Sequence, residues 1–271
     1  MYLSFYGLTE NPFNITPDPS FLFLSRRHEE ALAALTYGIH SKKGFIEMTG
    51  EVGSGKTTLC RSLLNRLDTS VKTALILNPH LSDLQMLRTI TEDFGIKLKS
   101  QNKKDLFDGL NQFLLEELSL GHNVVLIIDE AQNLRPALLE QVRILSNLET
   151  DKAKLLQIIL VGQPELHEIL SRPSLRQLRQ RISVRYHLTP LSLSETDEYI
   201  QHRLKVASAN LFLKFYPEAV ELIFQYSKGI PRLINIVCDH VLLAGYVAQT
   251  LDITRFLVQE SIEEIEGMVK I

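Results

Sequence analysis

The sequence predicts an α/β fold, a parallel sheet with helices on both faces, followed by an all-helical region. Two observations lead there. Short apolar runs alternate with helical patterns from Gly44 to Leu188, as they do when strands are buried on both faces by crossover helices. After "LTPLS", Leu188 to Ser192, only helical patterns follow. With 271 residues and 45% hydrophobic content, the chain can build a full core and a second, smaller domain.

Each element follows from its pattern. "FYGLTENPFNITPDPSFLFLS" is aromatic, and Pro12, Pro17 and Pro19 oppose a regular helix there. After Ser25, the spacing of Ala31, Leu32, Leu35 and Ile39 predicts a helix. "GFIEMTG" reads as a strand ending in glycine, "TTLCRSLLNRL" as a helix and "VKTALIL" as a strand. "DLQMLRTITEDFGI" and "KDLFDGLNQFLLEEL" are helical, "NVVLIID" a strand, "ALLEQVRILSNL" a helix and "KLLQIILVG" a strand. "RISVRYHL" alternates, with Ile182, Val184, Tyr186 and Leu188 on one face. From Ser194 onward the patterns are helical only. The expected domains are an aromatic segment, 1–40, packing on the core; an α/β core, 41–190; and a helical lid, 191–271.

Composition excludes several classes. A net charge of −3 gives no global basic field, so non-specific nucleic-acid binding is not implied. No apolar run is long enough to span a bilayer, and "MYLSFYGLTE" lacks the layout of a signal peptide. Cys60 and Cys238 show no metal spacing, so a reduced, cytoplasmic setting is expected.

The chemistry concentrates at strand ends. Gly50, Glu51, Val52, Gly53, Ser54, Gly55, Lys56, Thr57 and Thr58 fit the phosphate-loop pattern G-x-x-x-x-G-K-[ST], after a strand and opening a helix. Glycines let the backbone turn its N–H groups toward phosphate oxygens, and the helix N-terminus adds positive potential. Lys56 would reach the β- and γ-phosphates, and Thr57 would place its hydroxyl on Mg²⁺. Asp129 ends a buried strand, where open α/β sheets bind ligands, and would hold the same metal. Glu130 would orient or deprotonate a water, which favours hydrolysis over transfer to a substrate hydroxyl. Gln163, after the next strand, fits either a γ-phosphate contact or a turn-and-cap role ahead of Pro164.

Two arginine features remain. "RPSLRQLRQRISVR" holds five arginines among fourteen residues and no acid. It reads as a solvated basic face, as a strip for DNA or a partner, or as the source of an arginine supplied to a neighbouring subunit, with Arg179 and Arg181 as candidates. Arg232 in "GIPRLIN" stands at a helix start, against the helix dipole, so an anionic partner is expected, either phosphate or a nearby acid.

In combination these stretches resemble an AAA+ ATPase. More narrowly the chain is similar to the general secretion pathway protein A family (ExeA-type) and to MshM-type pilus ATPases. The likeness rests on "FYGLTENPFNITPDPSFLFLS", "HEEALAAL", "TGEVGSGKTTLCRSLL", "LILNPHLS", "IIDEAQNL", "LLQIILVGQPEL", "LRQLRQRI" and "GIPRLINIVCDHVLLAGY". It implies ATP and Mg²⁺ as ligands, Glu130 for hydrolysis, Gln163 as a first sensor and Arg232 as a second. It implies that the aromatic segment through His28 lies against the adenine. It also implies ATP-promoted self-association and a membrane-associated partner that assembles a secretion or pilus apparatus. Family members of the secretion type carry a membrane span and a peptidoglycan-binding part, which are not expected in this chain. Two alternatives stay open: a DNA-associated helper ATPase, and a nucleotide switch with little turnover.

Overall fold

The computed structural model describes residues 2–16, 18–77, 81–98, 102–150, 153–209 and 212–269. Pro17 and Asn78, Pro79 and His80, which fall within stretches quoted above, lie outside the described residues, as do the chain's first residue and last two. In chain order the first elements are α1 (Tyr2–Phe5), α2 (Arg26–His40), β1 (Phe45–Gly50), α3 (Lys56–Arg66), β2 (Val71–Ile76), α4 (Asp83–Asp93), α5 (Lys103–Ser119) and β3 (Asn123–Ile128). Then come α6 (Pro136–Leu145), β4 (Gln157–Gly162), α7 (Pro164–Leu170), α8 (Arg176–Arg181) and β5 (Ile182–Leu188). The last are α9 (Leu193–Val206), β6 (Lys214–Phe215), α10 (Pro217–Ser227), α11 (Pro231–Val247), β7 (Asp252–Ile253) and α12 (Arg255–Val269).

The chain forms two compact units. The first holds residues 28–50 and 59–188. Its five strands are all parallel, in the order β2-β3-β4-β1-β5. Every residue of β1 and β4 is buried, which is why β4 reads as an apolar run from Ile158 to Val161, while β1 buries Glu47 and Thr49 among its apolar residues. The edge strand β5 alternates instead, burying Ile182 and Leu188 and exposing Ser183, Arg185 and His187. Leu126, Ile128, Ile158 and Leu160 of the sheet pack in one core with Leu110 and Leu114 of α5 and Leu139 and Val142 of α6. Each such side chain contributes about 1.5–3 kcal/mol by leaving water. A capping box, Ser82 with Gln85, starts α4, and Pro136 and Pro164 start α6 and α7.

Buried Gln157 closes the lower end of this sheet. Its amide donates to the carbonyls of Gly38 (3.0 Å) and Lys43 (2.8 Å), and its oxygen accepts from Asn123 Nδ2. The strand therefore begins at Gln157 and not at Lys154, where the apolar pattern places it.

The second unit holds residues 1–27, 51–58 and 189–271. Its core is built by α9 to α12 around Ile200, Ile223, Ile234, Val237, Val241 and Val258. Two findings differ from the sequence reading. This region is not helical throughout: β6 and β7 pair in parallel, Lys214 with Asp252 and Phe215 with Ile253. Strands of two residues are too short to show a period. The aromatic segment was expected on the sheet core, yet its residues 1–27 belong to the helical unit. The Tyr6 hydroxyl donates to the Leu242 carbonyl (3.0 Å), and Arg203 donates to the carbonyls of Pro12 and Asn14 (3.2 Å). Gly245 makes room for this, since a Cβ there would stand 2.5 Å from the Tyr6 oxygen. Among the described residues no helix is long and apolar enough to cross a membrane.

Candidate functional site

The loop that leaves β1 at Gly50 enters α3 at Lys56. Gly53 (φ +79°) and Gly55 (φ +94°) are left-handed, a conformation that glycine adopts without steric cost. Alternating backbone hands aim successive N–H groups to one side, the concavity that suits an anion. The Lys56 ammonium donates to the Glu51 carbonyl (2.8 Å), drawing a side chain that is only 5% exposed back across the loop.

Within the same unit Arg232 lies against this loop. Its backbone N–H donates to the Gly53 carbonyl (3.3 Å), and a Cβ on Gly53 would come within 2.5 Å of the Arg232 Cβ. Arg232 is the second residue of α11, after Pro231 at the first position. Gly229 (φ +75°) makes that approach possible: a Cβ there would stand 1.9 Å from the Leu191 carbonyl oxygen. Arg232, for which phosphate or a nearby acid was expected as partner, is exposed, with its side-chain stem against Gly53 of the loop.

A second group lies at the carboxyl edge of the sheet. Asp129 is buried; its N–H continues the ladder to the Ile76 carbonyl (2.8 Å), and its Oδ1 accepts the Glu130 N–H (2.9 Å). Glu130 itself is left-handed (φ +52°, ψ +36°), which costs a non-glycine residue about 1–2 kcal/mol. Its Oε2 accepts from Gln132 Nε2 (2.5 Å) and Gln163 Nε2 (3.3 Å), and the Gln163 N–H donates to Gln132 Oε1 (3.1 Å). The structure thus brings Glu130 and Gln163 together through Gln132, a residue the sequence reading did not single out. Nothing in one sequence marks Gln132, since its role depends on β3 and β4 being neighbours. Gly162 admits it: a Cβ there would lie 2.7 Å from Gln132 Oε1. Gln163 is also the cap of α7, but its side chain makes no capping bond, so the amide serves Glu130 instead.

The candidate arginines share α8, a six-residue helix. Arg179 is exposed, whereas Arg181 is half-buried and donates to Ser146 Oγ (2.8 Å). Burial first, and the Arg181 charge second, hold the Lys154 ammonium below the usual lysine range.

Among the described residues no group of three or more His, Cys, Asp or Glu could hold a metal alone. Asp129 in the sheet unit offers a carboxylate and Thr57 in the helical unit a hydroxyl, each a hard oxygen ligand of the kind Mg²⁺ takes alongside waters and substrate phosphates. Zinc would require nitrogen or sulfur ligands in greater number.

An AAA domain family model matches residues 39–170. Over 269 residues the chain is 46% identical to general secretion pathway protein A of Aeromonas hydrophila. That alignment takes in 99% of this chain and 49% of the relative, so the chain spans about half the length of the curated relative it matches. Among solved structures, the ORC2 protein of Aeropyrum pernix in its ADPNP-ADP complexes superimposes with a TM-score of 0.69 at 20% identity, over 94% of this chain and 71% of that one. Cdc6p from Pyrobaculum aerophilum gives a TM-score of 0.71 at 16% identity, over 95% and 71%. At such identities these structures show the fold. The phosphate loop, the parallel order of the strands and these likenesses converge: the chain carries an AAA domain in a P-loop fold and is similar to general secretion pathway protein A.

Proposed function

We propose that this chain binds ATP with Mg²⁺, hydrolyses it to ADP and phosphate, and uses the cycle to drive assembly of a secretion or pilus apparatus at the cytoplasmic membrane face. The observation that carries hydrolysis is the strained Glu130 held by the amides of Gln132 and Gln163. A carboxylate in that setting can orient a water and take its proton as the water attacks the γ-phosphorus and the bond to the β–γ bridging oxygen breaks.

The other residues take supporting roles. The backbone of Gly50 to Thr58 and Lys56 hold the phosphates. Thr57 and Asp129 would hold Mg²⁺, which when bound neutralises charge on the phosphate oxygens. Gln163 reports the γ-phosphate to Glu130 through their shared hydrogen bond, and Arg232 adds positive charge at the loop. Arg179 or Arg181 reaches a neighbouring copy, so ATP strengthens self-association. Aeropyrum pernix ORC2, which shares the fold, was solved with ADPNP and ADP, and this supports ATP as the nucleotide. The assembly role, with a membrane-associated partner, is supported by the identity to general secretion pathway protein A along nearly the whole chain.

The test is steady-state ATP hydrolysis against protein concentration, with and without duplex DNA, and with Arg181→Ala as comparator. Specific activity is expected to rise with concentration, to ignore DNA and to fall in the variant. A chain that neither binds nor hydrolyses ATP with Mg²⁺ present sinks the reading. A rate raised severalfold by DNA would move it to the helper-ATPase class.

A further inference from the structure

Strand β1 carries an acid where its neighbours are apolar. Glu47 is 2% exposed, three residues before Gly50. In register it stands opposite Arg185 of β5, whose Nε donates to Glu47 Oε2 (3.1 Å). Its other oxygen lies 3.1 Å from Nδ1 of His167 on α7. The Arg185 guanidinium has a second engagement: one of its terminal nitrogens donates to the backbone carbonyl of Arg179 (3.2 Å), in the last turn of α8. Arg185 therefore joins the strand that leads into the phosphate loop to the helix that displays Arg179 and Arg181.

Stability alone does not account for such an acid. A buried acid facing half-exposed cations loses its own hydration for a partly screened attraction, so the pairing is a weak source of stability and is better explained by what it orients. Here the planar fork of arginine serves two acceptors set at a fixed angle, which a lysine ammonium on a flexible stem cannot reproduce. We infer that Arg185, anchored by Glu47, is a positioning residue: it sets where α8 presents its arginines to the nucleotide of a neighbouring copy. This rests on the trans-arginine reading above. Arg185 touches no substrate; it acts through α8. His167 lies on the helix that follows Gln163, so the same acid also steadies the segment after the sensor.

The experiment uses the full chain and two variants of the half-exposed Arg185, which spare the buried acid. With Arg185→Ala, assembly-dependent turnover is expected to fall about tenfold or more, a part of the ~10³–10⁵ that an arginine in trans supplies. ATP affinity should stay within about twofold, because the loop is untouched. Arg185→Lys should restore the melting temperature and leave the rate low. Mixing Arg185→Ala with Glu130→Gln subunits should then recover activity beyond the sum of the two alone, because each supplies what the other lacks. Wild-type rate in Arg185→Lys, or no recovery on mixing, overturns the inference. A wild-type rate flat in protein concentration removes the trans arginine itself, and this role with it. A rising wild-type rate that Arg185→Ala leaves unchanged removes the role of Arg185 only.

Discussion

The two units bury their polar groups differently. In the helical unit, Arg203, Tyr199, Asn235 and Tyr6 are all buried and bind one another or nearby backbone. Arg203 alone serves the carbonyls of Pro12 and Asn14 and the Tyr199 hydroxyl, and its guanidinium lies 4.7 Å from the centre of the Phe21 ring. These groups stitch an aromatic segment with little regular structure onto a helical bundle. Among the described residues of the sheet unit the fully buried acids are Glu47, on the strand that leads into the loop, and Asp129, directly after β3 at the edge, with the half-buried Glu130 next to it. One of them carries backbone strain. Burial is common to both sets. Position at the carboxyl edge of a parallel sheet, together with strain, is what separates chemistry from stitching.

The sharpest break between the two sets is Glu130→Gln. It keeps the shape and removes the base, so kcat is expected to drop about 10²–10³-fold while ATP affinity is retained. Stability should move by less than about 0.5 kcal/mol, because the half-buried side chain keeps an oxygen for Gln132. Phosphate release, nucleotide affinity and urea unfolding on the same preparation check all three. Unchanged turnover would return Glu130 to an ordinary helix-start role.

Arg203→Ala should behave in the opposite way. Its loss takes the Arg203 donors from the Pro12 and Asn14 carbonyls, leaving Asn14 only the longer bond from Asn235 Nδ2 (3.5 Å), and removes a cation from the Phe21 face, for about 3 kcal/mol of stability. Measured where the variant is still folded, turnover per molecule should stay near wild type. Arg203→Lys should recover less than half of the loss, since one ammonium cannot span three acceptors. A large rate defect with intact stability would place Arg203 among the functional groups and dissolve the contrast.

The sequence made the sheet and the loop legible because both are local signals. Runs such as "VVLII" and "IILV" fill buried strands, and the glycines of "GEVGSGK" have the spacing a phosphate needs. Glu130 and Gln163 were legible as strand-end residues, but not their joining through Gln132, which needs the order β3-β4. Glu47 looked like one polar interruption in "GFIEMTG"; its partners come from β5 and α7, more than a hundred residues on. The aromatic segment misled for the same reason. Its composition shows that it must be buried, but not which surface buries it.

The smallest expected effect tests the stitching set by pH. Tyr6 is fully buried, and burial pushes its hydroxyl up to about 12 from an ordinary value of 10.0. Below pH 10 both folded and unfolded states keep the proton, so the contribution is complete. Between about 10 and 12 the unfolded chain releases it and the folded chain does not, so the unfolded state binds fewer protons and stability falls as pH rises. Tyr2, raised by burial and by its hydrogen bond to Asp239, acts in the same direction. Tyr6→Phe should therefore cost about 1 kcal/mol at neutral pH for the lost bond to the Leu242 carbonyl, and should flatten part of the alkaline decline. Urea midpoints from pH 7 to pH 11 decide it. If wild type and variant lose stability in parallel above pH 10, the Tyr6 proton is not held by the fold, and this phenol packs as phenylalanine would.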